Sequence, residues 1–102
     1  MITALVTYTI KPEFIEENKA NIRKFMKDFQ QLDQETFVYN VFVKEDGVNF
    51  VHMSSYKDQI VQQQILNTPS FLEFQQKRDA SGLEGSHSVS LLDFVDSSQK
   101  IL

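Results

Sequence analysis

Only two histidines, His52 and His87, occur in the chain, and there is no cysteine. An imidazole titrates close to neutrality, which suits a general base or a hydrogen-bond donor. His52 has company able to do chemistry. If Glu45 pairs with Val48 across the Asp46-Gly47 turn, then Val43 opposes Phe50, Val41 opposes His52, Tyr39 opposes Ser54 and Phe37 opposes Tyr56. Alternation along the strands then places His52 on one face with Tyr39, Ser54 and Tyr56. One reading makes His52 the base or donor of a pocket in which Tyr39 and Tyr56 hold an aromatic ring. The other makes it a core histidine satisfied by a neighbouring hydroxyl.

The remaining candidates divide in the same way. Phe14, Phe25, Phe29, Phe71, Phe74 and Tyr8 join Tyr39 and Tyr56 as aromatics that line either a cavity for a flat apolar ligand or a plain core. Asn40 falls on the opposite hairpin face, where its amide either anchors a ligand or hydrogen-bonds across an interface. His87, beside Ser86 and Ser88, has no partners at metal-ligand spacing, so no metal site is expected. Lys77 and Arg78 read as a solvated helix end, favourable to the helix dipole, with capture of an anionic ligand as the alternative. The Gln62-Gln63-Gln64 run reads as a polar helix surface. No glycine-rich phosphate loop, GxSxG elbow or paired-carboxylate motif is present.

The hairpin from Thr36 to Tyr56 must position these groups. Its two β-branched and aromatic runs flank Asp46-Gly47, a pair suited to a type I′ turn. Both faces of the hairpin are mainly apolar, the second carrying Val38, Asn40, Phe42, Val51, Met53 and Ser55, so something must cover each side. Before it, Ile2 to Ile10 alternates as a strand, with Ile2, Ala4, Val6, Tyr8 and Ile10 on one face. Lys11-Pro12-Glu13 opens a helix from Phe14 to about Asp33. After it, Asp58 caps a short helix bearing Ile60, Val61, Ile65 and Leu66. Thr68 and Pro69 restart a second helix as N-cap and first position; it carries Phe71, Leu72 and Phe74 to about Asp79. Gly82 and Gly85 form a loop, and Ser86 to Val95 is a fourth strand. The domain spans residues 1–96, and residues 97–102 form a tail that ends in Ile101-Leu102.

The order β-α-β-β-α-β predicts an α+β, ferredoxin-like fold with an antiparallel four-stranded sheet in the order 4-1-3-2. Both helical segments then fall on one face, and a second copy of the sheet is expected to cover the other in a two-fold homodimer. At 102 residues the chain suits a single domain. A net charge of −4 argues against nucleic-acid binding, which needs a basic stripe. The apolar start is short, lacks a basic leader and reads as a strand, and no run is long enough to span a bilayer. A cytoplasmic protein is expected.

Lys11-Pro12-Glu13 after an alternating strand, the hairpin, Tyr56 closing the third strand, and Ile65-Leu66-Asn67-Thr68-Pro69-Ser70-Phe71 together resemble the antibiotic biosynthesis monooxygenase family. The resemblance covers nearly the whole chain. It implies a dimeric α/β-barrel and a cofactor-independent monooxygenase acting on a small phenol or quinol, with no cofactor and no metal. His52 is then the catalytic candidate, and Tyr39, Ser54, Tyr56, Phe71 and Phe74 are the substrate-binding candidates. The chain departs from the family pattern where Ile65 and Ser70 replace histidines, and where Ser54-Ser55-Tyr56 replaces Glu-x-Trp. It also lacks the Trp, helical His and first-strand Asn of the haem-degrading branch. These departures favour the alternative, a non-enzymatic module of the same fold that binds a small ligand or only dimerises.

Overall fold

Pro12 ends the first strand because it cannot donate to the sheet, and its fixed φ starts a helical turn. In the computed structural model, which describes residues 1–102, β1 (Ile2–Thr9) therefore passes through a single 3-10 turn at Pro12–Phe14 into α1 (Ile15–Phe29). The hairpin β2 (Phe37–Val43) and β3 (Asn49–Tyr56) follows. Then come α2 (Gln59–Leu66), α3 (Pro69–Lys77), a π turn over Arg78–Gly82 and β4 (Ser88–Leu92). The sheet order is β2-β3-β1-β4, all antiparallel, which is the ferredoxin-like arrangement.

The hairpin register is as the sequence predicts: Val41 opposes His52, Tyr39 opposes Ser54 and Phe37 opposes Tyr56. The turn differs. A type I′ turn needs positive φ at both central residues, and among the hairpin residues only Gly47 has one. The Gly47 N–H instead donates to the Lys44 carbonyl, and Lys44 N–H to the Asn49 carbonyl, in a longer turn. The Asp46 carboxylate accepts the backbone N–H groups of Val48 and Asn49 and the Asn49 side-chain amide. Those bonds, the Asn49 backbone bond first, hold its carboxyl below the usual range. Both strands lose the same number of residues to the turn, so the register survives.

The helices lie on the face carrying Ala4, Tyr8, Phe50, His52, Ser54, Tyr56 and Phe37, all buried. Phe25 sits at the centre of that layer. Its ring meets Phe29, Tyr39, Phe71 and Phe74 at centroid distances of 5.0, 5.6, 5.1 and 5.1 Å. Asp58 caps α2 by accepting the Val61 N–H, as expected. Thr68 occupies the N-cap position of α3, but its side chain makes no capping bond. Pro69 at the first helical position has no N–H to leave unsatisfied, and the N–H groups of Phe71 and Leu72 bond the Thr68 carbonyl.

Three boundaries are shorter than the sequence suggests. α1 ends at Phe29, where Gln34 Nε2 donates to the carbonyls of Phe29 and Leu32. α3 gives way to the π turn at Arg78. β4 covers Ser88–Leu92 only, because β1 has no more edge to offer. Leu83 already bridges Ile10 and Glu84 N–H bonds the Thr9 carbonyl at one end, while β1 runs out at Ile2 at the other. Past β4 the tail returns Ile101 to the α1–β2 edge, beside Met26, Phe29 and Val38. On the sheet's outer face Phe42, Met53 and Leu92 remain exposed, with Phe94 exposed beyond the end of β4.

Candidate functional site

A cavity of about 170 Å³ lies between the sheet and α2–α3. Tyr39, His52, Ser54, Tyr56, Phe71 and Phe74 all line it, together with Gln62, Gln75 and Arg78. The strands supply its floor, because residues of equal parity on β2, β3 and β1 point to one side. α3 supplies a wall through Phe71 and Phe74, continued by Arg78 at the start of the π turn, and the three follow one another at helical spacing. His87, Val89 and Leu91 line the β4 side, which no helix covers: Leu91 is 74% exposed. The cavity opens there.

The floor carries a hydrogen-bonded chain. His52 is 2% exposed, with Nε2 2.6 Å from the Tyr8 hydroxyl and Nδ1 2.8 Å from the Tyr39 hydroxyl. Asn18 Nδ2 donates to the Tyr8 hydroxyl at 3.2 Å. One arrangement that satisfies all three bonds runs in a single direction, with Tyr8 O–H donating to Nε2 and Nδ1–H donating to Tyr39. The Tyr39 hydrogen is then left for the cavity. Asn18 Oδ1 is buried without a partner.

Burial dominates the electrostatics of this chain. Desolvation, reinforced by the nearby Arg78 charge, pushes the His52 pKa down to about 3. Burial likewise raises Tyr8 to about 12 and lifts Tyr39 and Tyr56 above the ordinary phenol range. At neutral pH the floor is therefore an uncharged phenol–imidazole–phenol chain. Both imidazole nitrogens are occupied by tyrosine hydroxyls, so a ligand meets His52 through Tyr39 rather than directly.

Arg78 corrects the expectation of a solvated helix end. It is 4% exposed, and its guanidinium carbon lies 5.1 Å from the Tyr8 ring centroid and 5.4 Å from that of Phe74. Lys77 does behave as a surface residue, pairing with Glu73 at 2.9 Å. The sequence held a signal for Arg78: it follows Phe71 and Phe74 at i+7 and i+4, on the apolar stripe. Asn18 likewise follows Phe14 at i+4 and precedes Ile22 at the same spacing. Both are easily missed when only apolar residues are used to trace a buried face. Gln62, read as plain surface, lines the cavity. Asn40 is exposed on the outer sheet face, away from the cavity. No group of three or more His, Cys, Asp or Glu side chains converges in a way that would hold a metal ion.

No family model and no curated sequence matches the chain. Solved structures do. A crystal structure of an antibiotic biosynthesis monooxygenase superposes with a TM-score of 0.79 at 21% identity, covering 94% of this chain and 100% of that one. Rv0793 from Mycobacterium tuberculosis gives 0.79 at 14% identity over 96% and 98%. SnoaB, a cofactor-independent oxygenase from Streptomyces nogalater, gives 0.72 at 16% identity over 97% of each chain. The chain has the fold of the antibiotic biosynthesis monooxygenases.

Proposed function

We propose that this protein is a homodimeric, cofactor-independent monooxygenase acting on a single-ring phenol or quinol held in the α2–α3 cavity. The observation that carries the reading is the donor chain Asn18–Tyr8–His52–Tyr39 ending in an aromatic-lined space. An apolar cavity of about 150 Å³ accommodates benzene, so 170 Å³ suits one ring rather than several.

The substrate supplies the electrons. An ionised dihydroxyarene reacts with O2 to form a ring C–O bond. Cleavage of the O–O bond then releases one oxygen as water and leaves a hydroxyquinone. The arene loses four electrons and O2 gains four, so no further reductant enters. The protein orients the ring between Phe71, Phe74 and Tyr56 and keeps water out. Tyr39 is the group that touches the substrate oxygen. His52 acts behind it, its Nδ1–H holding the Tyr39 hydroxyl as a donor to the ionised oxygen, and the substrate's proton leaves to solvent as the anion binds. With a pKa near 3 the imidazole is a weak base in the empty cavity, and a bound anion raises that value by direct charge interaction. The second subunit covers Phe42, Met53, Leu92 and Phe94 on the outer sheet face.

An oxygen electrode charged with hydroquinone and its single-ring relatives tests the reading. Uptake of one O2 per quinol, abolished in Tyr39→Phe, is expected. The occupation of both His52 nitrogens by tyrosines favours a second reading, a binding module without turnover. Ligand binding without any oxygen uptake would select that module.

A further inference from the structure

Arg78 is the only Lys or Arg on the cavity wall, and no Asp or Glu lines the cavity with it. Its Nε donates to Asp79 Oδ1 at 3.0 Å, and Asp79 is half exposed. Neither Nη nitrogen has a protein partner among the hydrogen bonds of the fold. A guanidinium carries five N–H donors, so four remain open. The half-exposed Asp79 carboxylate and the stacking on Tyr8 and Phe74 compensate only part of the charge, and the Nη donors are not among the fully enclosed polar atoms without a partner.

The chain fixes this side chain from behind. The Leu83 N–H closes the π turn onto the Arg78 carbonyl at 3.1 Å, and the Lys11 N–H ties the turn to the end of β1 through the Gly82 carbonyl at 2.8 Å. Gly82 lies so close to Phe14 that a Cβ there would sit 2.6 Å from its ring. Single-turn π insertions inside or at the end of helices recur at functional sites.

We infer that Arg78 is the ligand-orienting cation of this cavity and that its occupant is a single-ring aromatic carboxylate held by the two Nη groups. The inference rests on the proposal that the cavity binds a ligand, and it narrows the substrate to a hydroxylated benzoic acid. Planar Nη–H pairs match the two oxygens of a carboxylate. A carboxylate is ionised at neutral pH, whereas a simple phenol keeps its proton. The aromatic walls then hold the ring, with its hydroxyl toward Tyr39.

Calorimetric titration of the full-length protein with benzoate, benzamide and ionised 4-nitrophenol tests this. Benzoate is expected to bind at least about ten-fold more tightly than benzamide, the yield of a charge-assisted bond in a dry site. In Arg78→Met, which keeps the wall's bulk, the two affinities should become equal. Equal affinities in the unmodified protein would overturn the role of Arg78 and leave the cavity proposal standing. Tighter binding of nitrophenolate would overturn the carboxylate assignment. No binding of any of the three would overturn both. If Arg78→Met does not fold, the benzoate-to-benzamide ratio of the unmodified protein decides alone.

Discussion

The cavity floor and its α3 wall treat buried polarity in opposite ways. On the floor, Tyr8, His52 and Tyr39 are bonded to one another and stay neutral, so that both imidazole nitrogens have partners. On the wall, Arg78 keeps its charge in an aromatic setting and leaves its Nη donors unused. A satisfied neutral network stabilises the fold, and removing one member strands its neighbours. A buried cation whose one carboxylate partner, Asp79, is half exposed adds little, because that carboxylate returns to water when an apolar residue replaces the cation. The contrast separates what holds the cavity together from what it holds.

Phe25 joins the two regions, packing on Tyr39 and His52 from one side and Phe71 and Phe74 from the other. Phe25→Ala should therefore break the comparison outright. It is expected to lose about 3–5 kcal/mol of stability in urea unfolding, as for other fully buried aromatics.

Acid sharpens the comparison on the floor alone. The folded pKa of His52 is depressed from 6.5 to about 3. Between those values the unfolded chain binds a proton that the folded chain does not, so stability falls as pH drops through that window. The slope approaches about 1.4 kcal/mol per pH unit. His52→Gln cannot titrate, and its unfolding free energy measured from pH 6.5 to 5 should be flatter by about 1 kcal/mol per unit. Asp46 and Glu73, whose carboxyls are held low, lose their contributions as pH falls from the ordinary carboxylate values toward the lowered ones, and they do so equally in both proteins.

Gly82→Ala addresses the wall. Its Cβ would meet the Phe14 ring at 2.6 Å, so the π turn or the ring must shift, at a cost of about 1–3 kcal/mol by thermal unfolding. Where the turn yields, Arg78 moves with it and benzoate affinity should fall; where the ring yields, stability falls alone.

Much of this arrangement was legible in the chain. The period-2 runs on either side of Asp46-Gly47 set the register that brings Tyr39, His52, Ser54 and Tyr56 to one face, and Asp58 marked the start of α2. Asp46-Gly47 misled on turn type because an Asp carboxylate can cap a longer turn at the same register. The length of β4 was not readable, since it is decided by which part of β1 Leu83 and Glu84 have already taken. Asn18 and Arg78 escaped because a polar residue on an apolar stripe is read as exposed until its partners are known. Which hairpin face meets the helices also needed the fold, as both faces are apolar.

The most direct measurement compares two conservative deletions without any ligand. Urea unfolding of Tyr39→Phe and Arg78→Met, side by side, asks whether floor and wall differ as described. Tyr39→Phe should cost about 1–2 kcal/mol by stranding His52 Nδ1, while Arg78→Met should leave stability unchanged or raise it by about 1 kcal/mol. Equal losses in both would contradict the account, since Arg78 would then be a structural residue like those of the floor.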